Sequence, residues 1–261
     1  MISLFVEILH LSFKGSMVIL VILLLRVMMI KSEKRYVYFL WIIPGMKLLF
    51  PISTFGVWNI IIRQSKVGKI FSFYSNNIRY IANKTIGGIV ENRDEFMEIL
   101  CVTWFLVFCM LLVKSIYQYM HLYSKLAIHK KVSHNIYLVD GIVTPCVFGI
   151  FNAKIYLPSG FNLEKYSYIV EHERIHWKRK DHVIKMIGYG IVLIHWFNPI
   201  VWLAYHYFVE DMEMSCDEVV IRKLRENERR EYALSLLEFT THANKERVLS
   251  IYFCEDSIKN E

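Results

Sequence analysis

Residues 163–181 read LEKYSYIVEHERIHWKRKD, and the run His172-Glu173-Arg174-Ile175-His176 at their centre decides how the rest of the chain is to be read. Asn162 stands before this stretch as a plausible N-cap, and a helix is expected from Leu163 to about Asp181. On a helix, residues four apart lie on one face, one turn from each other. His172 and His176 can therefore reach a single metal ion, with Glu173 beside the first of them. Zinc held in this way lowers the pKa of a bound water towards neutrality, and the glutamate takes its proton as general base. The same glutamate can return that proton to a leaving amine, which is the chemistry of peptide hydrolysis. The five-residue pattern also arises by chance, so it needs a third ligand.

Acidic candidates follow at Glu210, Asp211, Glu213, Asp217 and Glu218, on an expected second charged helix from Glu210 to about Arg225. Glu213 and Asp217 are four apart and share a face. Glu213 as metal ligand, with Asp217 as hydrogen-bond acceptor for a ligand histidine, is the sensible division. The competing explanation is a solvated acidic helix face. Geometry constrains the choice. Residues 183–209 are apolar and broken by Asn198-Pro199. If they crossed a membrane, Glu213 would stand on the far side from the histidines. Each half is too short to cross the ~30 Å hydrocarbon core. The stretch is therefore expected to be a helical hairpin, packed beside the site or dipping into the bilayer.

The remaining chain supplies the membrane. Of 261 residues, 55% are hydrophobic and yet 21% are charged, so the apolar residues must be clustered. Spans are expected at about 4–30, 36–57 and 96–119, with an outer loop at 58–95. Lys31, Lys34 and Arg35 follow the first span, and Lys125, Lys130 and Lys131 follow the third. By the positive-inside rule both flanks are cytoplasmic. The outer loop is itself basic, which pulls against that orientation. The net charge of +7 is then lipid-facing charge and implies no nucleic-acid partner. An odd count of five cysteines without a CxxC points away from a disulfide framework. Residues 132–158 alternate and carry Gly141, Pro145, Gly149 and Pro158, a small β element of two to four strands. The tail from Glu226 is polar, with an amphipathic helix around Glu231 to Thr241. His195 and His206 sit in apolar surroundings and are expected to be packed or interfacial rather than ligands. Trp196, Trp202, Tyr205 and Tyr207 form an interface belt, and Lys178 to Lys180 a solvated or lipid-facing charge run. Cys216 is expected in the core, and Asp181 to tether the histidine helix through a salt bridge. The fold class is thus a mostly α membrane protein: a transmembrane region over residues 1–120, then an α+β metallopeptidase domain over 121–261.

The order of parts resembles a family. Pro145-Cys146-Val147-Phe148-Gly149, Ile155-Tyr156-Leu157-Pro158, the His172 to His176 run, Trp196-Phe197-Asn198-Pro199 and Glu213-Met214-Ser215-Cys216-Asp217 are similar to those of the bacterial BlaR/MecR-type antirepressor metallopeptidases. The resemblance runs from about residue 3 to the end. It implies a gluzincin-like zinc domain in the cytoplasm of a multi-pass cell-membrane protein. His172 and His176 would be ligands, Glu173 the base and Glu213 the third ligand. In that family an outer sensor is acylated by β-lactams, the zinc domain cuts itself, and a DNA-binding repressor is cleaved. No Ser-x-x-Lys acylation motif occurs here, so β-lactam sensing is not expected of these residues. Membrane lipid and a cytoplasmic repressor are the implied partners, and a homodimer is left open. Rival readings are a housekeeping membrane zinc peptidase and a zinc-binding signal-relay module without catalysis. The intact Glu173 speaks against the last, since a structural site needs no base.

Overall fold

Two long apolar helices frame the molecule, α1 (Ile2–Met28) and α4 (Arg93–Leu126), with the short α2 (Lys34–Leu40) and α3 (Ile42–Leu49) after the first. The structure is a computed structural model; it describes residues 2–50 and 93–243, apart from residues 134, 141, 143, 162, 164 and 165. At 1.5 Å per residue α1 and α4 are about 40 Å and 50 Å long, more than the ~30 Å core of a bilayer requires. They are the described helices long and apolar enough to cross a membrane. Their outward faces leave Leu24, Val27, Leu106 and Val113 more than half exposed, as lipid contact would demand. The span expected at 36–57 is instead interrupted at Trp41, between α2 and α3. Pro44 has no N–H to give the Leu40 carbonyl one turn earlier, so a single helix cannot run through. The rest of that segment and nearly all of the expected outer loop lie outside the described residues.

α4 overshoots its apolar stretch for a reason. Leu122 and Leu126 near its end pack with Val139, Ile142, Phe148 and Tyr156, joining the helix to a small sheet. The sheet comprises β1 (His129–Ser133), β2 (Ile136–Val139), β3 (Cys146–Phe148) and β4 (Lys154–Pro158), in the order β1-β2-β4-β3. β2 and β4 are parallel, and the outer pairs are antiparallel. Gly149, at φ +118, makes the sharp turn after β3 that a side chain would obstruct against the Asn152 carbonyl. The other face of the sheet presents Val147, Ile155 and Leu157 to Ile169 and Val170 of α5 (Ser167–Arg179). The Trp177 indole N–H donates to the Ala153 carbonyl at 2.9 Å and fixes α5 on the sheet.

α5 starts at Ser167, later than the expected Leu163, and Asn162 lies outside the described residues. It ends at Lys180, which takes the left-handed conformation (φ 58), so α6 (Asp181–Ile194) begins without a linker. The apolar residues 183–209 form most of α6, a turn at 195–198 and the first half of α7 (Pro199–Lys223). The charged stretch from Glu210 is thus the continuation of an apolar helix rather than a helix of its own. α8 (Glu226–Ala243) closes the described chain.

The turn is held by partly buried polar groups among apolar ones. Asn198 caps α7 by accepting from Ile200 N–H, and Pro199 occupies the first helical position. The Asn198 amide donates to the hydroxyls of Ser12 and Ser16 on α1, both at 2.7 Å. Trp104 of α4 donates to the Ile194 carbonyl at 3.0 Å, and Trp202 to that of Trp196 at 2.8 Å. Carbonyls left open at a turn between helices need partners of this kind. Asn198→Ala removes a cap and two buried hydrogen bonds. It is expected to lower stability by about 2–3 kcal/mol, read as a fall in the thermal midpoint of the detergent-solubilised protein; an unchanged midpoint would show that the turn is held otherwise.

Candidate metal centre

Three atoms from two helices meet at one point. His172 Nε2 and His176 Nε2 of α5 are 3.0 Å apart. Glu213 Oε2 of α7 lies 3.1 Å from the His176 nitrogen and 3.5 Å from the His172 nitrogen. Metal bonds of about 2.0–2.1 Å in a tetrahedron give edges of about 3.3 Å between ligand atoms. The observed triangle has the dimensions of one face of that tetrahedron, so the residues fit zinc.

The hydrogen bonds behind the ligands agree with this. His172 Nδ1 lies 3.0 Å from Asp217 Oδ1 and 2.9 Å from the Tyr232 hydroxyl, which itself donates to Asp217 at 2.6 Å. His176 Nδ1 lies 2.7 Å from Asp181 Oδ2. Carboxylates at the Nδ1 positions select the tautomer with the proton there, leaving both Nε2 lone pairs bare. Two lone pairs and a carboxylate oxygen within 3.5 Å of one another repel unless a cation or protons stand among them. Glu213 uses its second oxygen elsewhere: Lys185 of α6 donates to Oε1 at 2.7 Å. Asp181 is held in turn by Tyr38 and Arg179.

Protons play the cation's part when no metal is bound. Burial opposes charge on His172, but the hydrogen bond to Asp217 and the approach of Glu213 hold its pKa well above the usual 6.5. For His176 burial is likewise outweighed, here by Glu213 and Asp181. Glu213 goes the other way: burial would raise its carboxyl, but Lys185 and His176 hold it well below the ordinary range. Burial pushes Glu173 above its ordinary value against the pull of the two histidines, a displacement towards neutrality that suits a general base. Burial also keeps the Tyr232 hydroxyl protonated, so it remains a donor to Asp217.

The residues singled out by sequence take definite places. His172, His176 and Glu213 converge, and Asp217 sits behind His172. Asp181 does more than tether the helix, because its carboxylate orients the His176 ring. Asp211 and Glu210 face α1 instead of the site. His195 is buried, with Nε2 3.3 Å from the Leu48 carbonyl. Cys216 is fully buried as expected, but its thiol lies within 4.8 Å of the histidine ligand atoms and 3.5 Å from the His172 carbonyl. It is the alternative third donor, and Glu213 has the tetrahedral distances. Lys185 and Tyr232 escaped the sequence reading. Lys185 had a signal, as a single cation in the apolar body of α6 that needs a partner; Tyr232 had none.

The family model described as BlaR1 peptidase M56 matches residues 6–259. The chain belongs to this family. It is 33% identical over 103 residues to the regulatory protein BlaR1 of Bacillus licheniformis, a match covering 38% of this chain and 17% of that protein. It is 30% identical over 122 residues to the methicillin resistance mecR1 protein of Staphylococcus aureus, covering 44% of this chain and 20% of the relative. The mecR1 protein of Staphylococcus epidermidis matches to the same extent. The matched stretch thus spans a fifth or less of these relatives' own length.

Two outcomes are expected of a metal titration. Purified protein binds one zinc and His172→Ala loses it; undiminished metal in that variant would remove His172 from the ligand set. Zinc must also displace the protons held by His172 and His176. Apparent zinc affinity therefore rises with pH through the raised histidine pKa values and then levels off. The metal-free protein shows the opposite trend: the stability its histidines confer is full below their unfolded pKa, near 6.5, and is lost as pH rises through the folded values. Thermal melts with and without zinc across that range check both signs.

Proposed function

We propose that the chain is a membrane-embedded zinc endopeptidase acting in regulatory signalling. The observation that carries this reading is the convergence of His172 Nε2, His176 Nε2 and Glu213 Oε2, with Glu173 one residue from the first ligand. His172, His176 and Glu213 would hold a zinc ion, which would supply a water of lowered pKa and polarise a substrate carbonyl. Glu173 would take the proton of the attacking water and deliver it to the departing amine as the C–N bond breaks. Asp217 with Tyr232, and Asp181 with Arg179, hold the two imidazoles in their ligating orientation. Lys185 neutralises part of the Glu213 charge.

In this reading α1 and α4 cross the membrane, and the segment that starts with α2 and α3 continues towards a third crossing. The hairpin of α6 and the first half of α7 dips into the bilayer between them. The basic residues after α1 (Lys31, Lys34, Arg35) and after α4 (Lys125, Lys130, Lys131) lie at the same helix ends as the metal centre and the sheet, which supports a cytoplasmic domain. The names of the relatives point to antibiotic-resistance control. The substrate class is accordingly the chain itself or a cytoplasmic transcriptional repressor, with a β-lactam response as the setting.

The deciding experiment uses Glu173→Ala in native-like membranes. That variant keeps its zinc and loses self-cleavage and cleavage of a co-expressed repressor by at least about a hundredfold, the lower range for loss of a general base. Cleavage at the unmodified rate would refute the hydrolytic mechanism.

A further inference from the structure

Arg26 interrupts the apolar stretch 15–30 and is partly buried. Its Nε lies 3.0 Å and 2.9 Å from the two oxygens of Asp211, and Nη2 lies 2.9 Å from Glu210. The guanidinium rests 4.3 Å over the Tyr207 ring. The Trp41 indole N–H donates to the same Asp211 at 2.7 Å, and Asp211 is 1% exposed. A cation inside an apolar helix is costly and is kept for a purpose. Here the purpose is legible in the numbering. Asp211 precedes Glu213 by two residues, and a step of two turns a helix through about 200°. One face of α7 thus grips α1 and α2, while the opposite face offers Glu213 to α5.

The grip is a two-point one. Asn198 is bonded to Ser12 and Ser16 near the middle of α1, and Asp211 to Arg26 near its end. Together these ties fix both the axial register and the rotation of α7. The tolerance is small. A carboxylate about 6 Å off a helix axis moves about 1 Å for a turn of about 10°, and a metal bond accepts about 0.2 Å.

We propose that Arg26 is a positioning residue for Glu213: acting through Asp211 and Trp41, it sets the rotation of α7, and so couples the position of the membrane helix α1 to metal binding. The inference rests on Glu213 being the third ligand. A displacement of α1 acts on the metal centre through this contact. A further tie, the ion pair at 2.9 Å between Glu33 at the start of α2 and Arg222 of α7, is exposed and lies beyond the site; it serves as the control.

The test measures zinc affinity by chelator competition, and the ligand-field spectrum of the cobalt-substituted full chain in detergent. Arg26→Ala and Asp211→Asn are expected to weaken zinc by about tenfold or more and to alter the cobalt spectrum. Arg26→Lys, which keeps the charge without the guanidinium fork, recovers part of the loss and stands in should Arg26→Ala fail to fold. Arg222→Ala leaves affinity and spectrum unchanged. Unaltered affinity and spectrum in Arg26→Ala, or in Arg26→Lys where only that variant folds, would overturn the proposal. So would an equal loss in Arg222→Ala, because general packing would then be the cause. Glu213→Ala separates the two layers: if it binds zinc as tightly as the unmodified chain, the ligand assignment falls and the inference with it. If Glu213→Ala loses zinc while Arg26→Ala does not, only the inference falls.

Discussion

Glu213 reaches His176 because the chain between them leaves the site, turns back at 195–198 and returns alongside its outward path. Every other feature serves that return. The turn must satisfy its own carbonyls, hence Trp104 and Trp202, and the open N–H at the start of α7, hence Asn198. The returning helix must arrive in register with α5, hence the contacts of Asn198 and Asp211 with α1. The α5–α6 junction must be abrupt, hence Lys180 at positive φ. That abruptness sets Asp181 against His176, so the same local geometry builds the fold and orients an imidazole of the candidate site.

The electrostatics follow from what is brought together. Two imidazoles and a carboxylate within hydrogen-bonding distance form a site that must be occupied by something positive. Carboxylates at both Nδ1 atoms raise the demand, and Lys185 moderates it from the Glu213 side. Protons meet the demand in one state and a metal in the other, so metal loading, pH and stability are bound to one another. On the proposed reading α1 enters this balance through Arg26, which pairs with the buried Asp211 carboxylate on the helix that carries Glu213.

Much of this was legible in the residues. The spacing of His172 and His176 placed them on one face before any coordinates, and Asn198-Pro199 announced the break. The demand that Glu213 share a side with the histidines turned an apparent membrane span into a hairpin. What escaped came from long-range pairing or local breaks. Nothing near Tyr232 marks it as a partner of Asp217 across a separate helix. Asp181 has His176 and Arg179 close by in the chain, whereas Arg26 meets Glu210 and Asp211 only through the fold. The apolar run from residue 36 read as one span, whereas the missing N–H of Pro44 divides it into two helices. Glu210 to Glu218 read as one acidic stretch; a period of 3.6 residues assigns Asp211 and Glu213 to opposite faces.

X-ray absorption at the zinc edge of the full-length protein tests the central claim most directly. The account predicts two imidazole nitrogens and carboxylate or water oxygens at about 2.0–2.1 Å, and no sulfur. A sulfur neighbour at about 2.3 Å would put Cys216 in the place given to Glu213, and fewer than two imidazoles would contradict the site itself.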